Sequence, residues 1–129
     1  MKSPLVHSVL VSTDVLGGAA TISNCWAKQS FVDANPIKIK AFIAAVDEAS
    51  DMVAKDPKGA AEIYLRVTKE KITLDELVDT IKQPGAVFSA TPLRSMLWAD
   101  YMYRIGMIKQ KPASWKDFTF PFIYDRAGS

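Results

Sequence analysis

Proline positions divide most of this chain into helices. The pairs Asn35-Pro36, Asp56-Pro57 and Thr91-Pro92 each place proline directly after a polar residue. A proline at the first helical position loses no hydrogen bond, and an asparagine, aspartate or threonine before it can accept one from a free amide of the first turn. The sequence therefore predicts three helices that begin at these pairs.

Apolar residues recur at helical spacing after each start. In the first helix the predicted inward positions are Ile39, Phe42, Ile43, Val46, Ala49 and Val53. The second helix runs to about Val67, and the third ends at Gly106, which is suited to a C-terminal cap. A further helix follows the capping box of Thr73 and Glu76 and stops at Pro84-Gly85.

Two short segments ahead of these helices favour strands. Residues 7–13 are rich in β-branched types, and residues 20–26 read as a second extended segment, with a glycine turn at 14–18 between them. A short helix is predicted over 27–34. Two strands cannot make a stable sheet alone. The order of two strands followed by several helices therefore predicts a helix-rich α/β fold that resembles the later portion of a larger α/β protein.

The chain closes on an aromatic segment. Residues 118–124 contain three phenylalanines and one tyrosine, and a short turn is predicted at 114–117. Such a segment is too apolar to remain in water, so we expect it to pack against the body of the protein.

Composition excludes several classes of protein. The 129 residues are 49% hydrophobic and 23% charged, which excludes a disordered chain. The net charge of +2 gives no electrostatic footprint for nucleic acid. A single cysteine and a single histidine exclude an internal disulfide, a cysteine-based zinc site and a multi-histidine metal site. We also expect no membrane span and no export signal in this sequence.

Catalysis within the chain has weak support. His7 and the nearby hydroxyls of Ser8 or Ser12 could be drawn as a base and a nucleophile, but no nucleophile-elbow or oxyanion glycine pattern accompanies them. Cys25 could be a reactive thiol, although no basic residue closer than Lys28 would lower its pKa. The alternatives are a polar strand-edge histidine and a small apolar core cysteine, so we predict no catalytic residue, no metal and no cofactor.

The polar turn around Gly17-Gly18 is the best candidate for binding. It lacks the spacing of a phosphate loop, but paired glycines permit positive φ and a close backbone approach. Its amides could hold a small anion, with the hydroxyls of Thr13 and Thr21 nearby. A simple glycine turn is the alternative.

Several stretches, taken in order, resemble a known family. They are STDVLGG at 12–18, FVDANP at 31–36, KDP with a following Ala-Ala at 55–61, RIGMI at 104–108 and PASWKD at 112–117. Together they resemble the C-terminal part of the substrate-binding proteins of ABC transporters for nitrate, sulfonates and taurine, a group that includes binders of thiamine-pyrimidine precursors. The resemblance covers residues 7–125.

The resemblance implies a partial type II periplasmic-binding-protein fold, with two early strands, about four main helices and an extended aromatic tail. Residues 1–129 form a single unit in this view, in which 7–26 supply strands and cross between lobes and 27–129 form the helical part of one lobe. The implied function is that of a non-enzymatic solute-binding component of an ABC importer, present as a C-terminal fragment of a periplasmic parent. Its partners would be a small organic anion or polar heterocycle and, through the parent, an ABC permease.

The resemblance implies that residues 12–21 lie near the ligand-binding cleft between the two lobes. The candidate ligand-binding residues are Ser12, Thr13, Asp14, Gly17, Gly18 and Thr21. Some relatives with this fold make the thiamine pyrimidine with a histidine and a cysteine-rich motif, which this chain does not have.

Two other functions remain open from the sequence. One is an autonomous helix-rich protein-interaction domain without small-molecule function, and the other is a small enzyme that uses His7 and Cys25. If the sheet is incomplete, we expect a homo-oligomer that forms through residues 7–26 or the aromatic tail. We also expect weak binding, or none, of small anions by this chain alone.

Overall fold

The computed structural model describes Leu5 and residues 7–129, and the regular elements of this part of the chain are all helices. Of these residues 55% are helical, and none lies in a strand. The α-helices are α1 (Ser12–Leu16), α2 (Gln29–Ala34), α3 (Pro36–Lys55), α4 (Pro57–Thr68), α5 (Leu74–Ile81) and α6 (Ser95–Arg104). Two 3₁₀ turns follow, at Trp115–Phe118 and Pro121–Ile123.

The predicted α/β class, with its two early strands, is wrong. Of residues 7–13, the last two begin α1, and residues 20–26 are irregular. Their apolar side chains do not pack against a sheet, and Val9 is 86% and Trp26 92% exposed. A strand requires a neighbour that accepts its backbone hydrogen bonds, and the described chain supplies no such edge to either segment.

The proline-based helix starts are largely confirmed. Asp56 caps α4, because its carboxylate accepts a hydrogen bond from the Gly59 amide at 2.9 Å. The capping box of Thr73 and Glu76 is present at the start of α5. The first helix also begins at the predicted pair, but the Asn35 side chain does not cap it, because its amide donates back to a carbonyl of α2 instead.

The third start is displaced. α6 begins at Ser95 rather than at Thr91-Pro92, and Arg94 just before it has a left-handed backbone with φ of 49°. Leu93 explains the delay. Its amide and its carbonyl are both bonded to Thr21 at 2.8 Å, and because the carbonyl is directed at Thr21, the Leu97 amide bonds Arg94 rather than Leu93.

Helices α2 to α5, which we call the helix array, pack in chain order, each against the next. The side of α3 that is partly covered carries Ile39, Ile43, Val46, Ser50 and Val53. Ala61 of α4 is completely buried. Phe42 and Ala49 were predicted to face inward and are exposed instead, so the apolar surface of α3 is wider than the contact that covers it.

Residues 112–129, which we call the C-terminal clasp, form a small cluster around Trp115. The Trp115 ring is buried and meets the Tyr124 ring edge-on, with centroids 5.8 Å apart. Gly128 lies so close that a β-carbon there would stand 2.7 Å from the indole. The expectation that residues 118–124 pack is thus confirmed for Tyr124, whose ring meets Trp115, whereas Phe118 is 49% exposed.

Little of the chain is buried. Among the described residues the buried ones are Val32, Ala61, Pro92, Ser95, Ala99 and Trp115. Many large apolar side chains on α3, α4 and α6 remain exposed. No described helix is both long enough and apolar enough to cross a bilayer.

Candidate functional site

The candidate binding segment begins with a single helical turn and a pair of glycines. α1 ends at Gly17, whose φ is 70°, and Gly18 follows with φ of 134°. The amides of both glycines donate to the carbonyl of Thr13, at 2.7 Å from Gly18. The predicted turn with positive φ is present, but these two amides are occupied by the chain itself.

The side chain of Arg94 lies against this glycine pair. A β-carbon added at Gly18 would meet the guanidinium nitrogens at 3.1 and 3.2 Å, and one at Gly17 would meet them at 3.5 Å. A side chain at Gly18 would displace the guanidinium by a few tenths of an ångström, and the φ of 134° at this position also favours glycine. Arg94 forms no ion pair with any described residue, so its charge is available to a bound anion.

Thr21 connects the segment to the start of α6. Its amide donates to the Leu93 carbonyl, its hydroxyl accepts from the Leu93 amide, and its carbonyl accepts from the Trp98 indole nitrogen at 2.9 Å. Thr21 therefore acts mainly as a structural link. Its hydroxyl proton is the one group left for a ligand.

Ser129 closes the other side of the same helix start. Its carbonyl accepts from the Ser95 amide at 2.6 Å and from the Ser95 hydroxyl at 2.7 Å. Its hydroxyl accepts from the Arg94 amide, and its own amide donates to the Pro92 carbonyl, both at 3.0 Å. These contacts hold Arg94 in its left-handed conformation, which most residues adopt only under such constraint.

An open depression of about 550 Å³ lies beside Arg94. Its lining comprises Ala19, Leu93, Arg94, Met96, Leu97, Asp100 and Ser129. Asp100 is already neutralised by Lys111 at 3.0 Å. The depression therefore combines a mostly apolar wall with one unpaired cation, an arrangement that suits a small anion with an apolar part.

The other predicted site residues lie around α1. Ser12 and Asp14 are exposed and have no hydrogen-bond partner for their side chains among the described residues. Thr13 faces a different neighbour, because its methyl group contacts Gly85, where a β-carbon would lie 2.4 Å away. The structure thus brings Gly17, Gly18 and Thr21 to the Arg94 side chain or its helix, whereas Thr13 packs elsewhere.

His7 and Cys25 do not form a site. Both are exposed, neither is in a strand, and neither has a hydrogen-bond partner among the described residues. The interpretation of Cys25 as a small core residue is wrong, because residues 22–30 all lie on the surface. The described residues also contain no group of three or more His, Cys, Asp or Glu side chains that could hold a metal ion.

Sequence reasoning missed Arg94 and Ser129. Both were hidden by their local context, since Arg94 stood inside a predicted helix and Ser129 in a terminal segment without a motif. Only the juxtaposition of residues 17–21, 91–98 and 129 reveals them.

Comparison of the chain with protein-family models, with curated proteins and with solved structures finds no match in any of the three.

Proposed function

We propose that this chain serves in the capture of a small organic anion or polar heterocycle, as part of the solute-binding component of an ABC importer of the nitrate, sulfonate, taurine and thiamine-precursor class. In this proposal the parent protein works in the periplasm and delivers its solute to an ABC permease. The chain itself performs no chemical reaction.

The observation that carries the proposal is the position of the Arg94 guanidinium against Gly17 and Gly18, without an ion pair among the described residues. A guanidinium offers a rigid fork of N–H donors that matches the oxygens of a sulfonate, carboxylate or nitrate. Two glycines without side chains leave the approach to it open. The resemblance of residues 12–18 to the family points to the same segment.

Two further groups can assist. The amide of Ala19, at the edge of the depression, has no hydrogen-bond partner among the described residues. The apolar side chains of Met96 and Leu97 line the same space. A taurine-like solute would place its anionic end at Arg94 and its short carbon chain over these side chains.

The test is a titration of isotope-labelled protein with taurine, methanesulfonate, nitrate and an aminopyrimidine, followed by amide chemical shifts. Because the site is shallow and open, we expect roughly millimolar affinity for at least one solute. The shifts should concentrate at residues 17–21 and 93–97. Arg94→Gln should weaken binding about tenfold, as expected for the loss of a charged hydrogen bond. Arg66→Gln, which changes an exposed arginine on α4, should have no effect.

Absence of shifts with every solute, or equal affinity in Arg94→Gln, would contradict the proposal. Sub-micromolar affinity would show instead that the whole site lies in this chain, against our expectation of weak binding. Circular dichroism of each variant establishes that the helices are intact.

A helix-rich protein-interaction domain is the second candidate, and the exposed apolar side of α6 favours it. Leu97, Tyr101 and Ile105 follow one another at helical spacing and are 42%, 49% and 49% exposed. Patches of this kind mark contact surfaces. The two candidates differ in the titration, since an interaction domain of this type predicts no response to any of the solutes.

A further inference from the structure

The long helix α3 has a second apolar stripe that nothing in the described chain covers. One stripe, through Ile39, Ile43 and Val53, is partly buried within the helix array. The neighbouring stripe is exposed at every position and consists of Lys38, Phe42, Ala45, Ala49 and Met52, and the exposed Asp56 follows directly after the end of α3. Phe42 is 50% and Met52 39% exposed.

The spacing of this stripe is that of a helix-pairing seam. Its members alternate steps of four and three residues from Lys38 to Met52, and Asp56 follows four residues later; this is the heptad pattern that keeps one line of side chains toward a partner helix. Within α3 the stripe runs for about 21 Å along the helix axis, from Lys38 to Met52. Lone exposed apolar residues are ordinary on a protein surface, but an unbroken seam of this length is not.

The stripe is complementary to itself when it is reversed. If two copies of α3 lie antiparallel about a two-fold axis between Ala45 and Ala49, Ala45 faces Ala49 of the other copy and Phe42 faces its Met52. At each end Lys38 then faces Asp56 of the other copy, whose Oδ1 caps α4 and whose Oδ2 is left for the ammonium group, so opposite charges meet. A parallel pairing would instead set Lys38 against Lys38 and Asp56 against Asp56, with like charges together.

We propose that α3 pairs with α3 of a second copy of this chain, antiparallel, along this stripe. Small alanines at the centre let the two helices approach closely, while the phenylalanine and methionine fill the space on either side. A two-fold axis requires one surface patch to be complementary to itself, and this stripe meets that condition in both shape and charge.

The exposed area of the chain is consistent with such a partner. The chain exposes 10144 Å², whereas a compact monomer of 14.2 kDa exposes about 6,800 Å². The surplus of roughly 3,300 Å² is several times the ~800 Å² per partner that a standard interface buries. The proposal does not depend on the proposed function, because none of the stripe residues lies at the candidate site.

The first test is sedimentation equilibrium of the full chain, in reducing buffer, from micromolar to millimolar concentration. The wild-type chain should be a dimer at the upper end. Ala45→Glu places two charges near the centre of the seam and should weaken the dimer at least tenfold, whereas Ala44→Glu, an exposed alanine about a third of a turn away, should leave it unchanged. Both substitutions keep a good helix former, so helicity should be equal in the two variants.

The charge pairing has its own matched variants. Lys38→Glu sets a carboxylate against Asp56 of the other copy and should weaken the dimer several-fold at low salt, less so at high salt. Lys40→Glu makes the same change of net charge away from the stripe and should have little effect.

Disulfide trapping distinguishes antiparallel from parallel pairing. In a Cys25→Ser background, chains with Ala45→Cys mixed with chains with Ala49→Cys should form the mixed covalent dimer in preference to either homodimer. A monomer at every concentration overturns the proposal, and so does a dimer that Ala45→Glu does not weaken. A preference of the Ala45→Cys chain for covalent homodimers would overturn the antiparallel arrangement.

Discussion

The helix array and the C-terminal clasp hold together by different kinds of contact. Among the described residues, side-chain hydrogen bonds inside the array are local, the widest joining Tyr64 to Glu70. The clasp is joined to α3 and to the start of α6 by contacts between residues far apart in the chain, Arg126 with Asp47 and Ser129 with Ser95. The array has strong local signals but few buried side chains, whereas the clasp has weak local signals and the largest buried side chain of the described chain, Trp115.

This difference shows that, in this protein, the segments with regular secondary structure are not the segments with the most tertiary contacts. Proline starts and capping groups fix where α3 to α5 begin, because they act within one turn of the chain. Burial requires partners from elsewhere, and these come from irregular segments. Arg126 reaches across to α3, and Ser129 reaches to α6, so the clasp joins the array to the candidate site.

The largest effect on stability is expected from removing the side chain at the centre of the clasp. Trp115→Ala should lower the free energy of unfolding by about 3–5 kcal/mol, because the residue is buried against Tyr124 and Gly128 and its loss leaves a cavity. Trp26→Ala, which removes an indole that is 92% exposed, should change it by less than about 0.5 kcal/mol. Urea unfolding followed by circular dichroism measures both. Equal effects of the two substitutions would show that the clasp does not stabilise the protein.

A smaller effect is expected at the link between residues 17–21 and α6. Thr21→Val keeps the shape of the side chain but removes the acceptor of the Leu93 amide, which should cost about 1–3 kcal/mol. Thr80→Val is the matched control, since that hydroxyl only donates to the Glu76 carbonyl within α5. Hydrogen exchange of the Leu93 amide should accelerate in Thr21→Val alone. Unchanged exchange there would mean that the link is dispensable.

The ion pair between the clasp and the array gives the smallest effect, and it depends on pH. Hydrogen bonds from the Arg126 guanidinium hold the pKa of Asp47 below its ordinary value. The positive charge of Arg126 lowers this pKa further, whereas partial burial of Asp47 opposes the shift. The pair's contribution is therefore complete above the ordinary pKa of an aspartate and is lost as pH falls through the lowered pKa of the folded state. Since Asp47 keeps 46% of its side chain exposed, we expect about 1 kcal/mol or less at neutral pH.

Asp47→Asn should remove this contribution and flatten the corresponding acid limb of the stability curve. Asp51→Asn changes an exposed carboxylate whose ion pair is local to α3 and should reproduce the wild-type limb almost fully. Urea unfolding at a series of pH values between neutral and strongly acidic measures the two curves. Identical acid limbs for Asp47→Asn and the wild type would exclude a stabilising role for the pair.

The predictions from sequence succeeded where the interacting residues all lie within one turn of the chain. The cap at Asp56, the capping box at Thr73 and Glu76 and the positive φ of Gly17 and Gly106 all agree with the structure. They failed where the partner lies elsewhere. Residues 20–26 have the composition of a strand, but they have no sheet edge beside them in the described chain.

The candidate site was only half predictable for the same reason. The glycine turn at Gly17 and Gly18 could be found from its composition, and Thr21 lies near it, bonded to Leu93. Arg94 could not be found, because its role depends on φ of 49° before α6 and on a side chain laid over glycines more than seventy positions earlier in the chain. The exposed stripe of α3 was also obscured, since Phe42 and Ala49 share a helical periodicity with the residues that are packed.

The amino-acid sequence by itself determined where the helices α3 to α5 begin, because proline geometry and capping hydrogen bonds act between residues at most a few positions apart. Only the tertiary structure decided which helix faces are covered, where α6 starts and which cation lies at the glycine turn. Those outcomes depend on contacts between residues far apart in the chain, and the free energy of such a contact cannot be read from either segment alone.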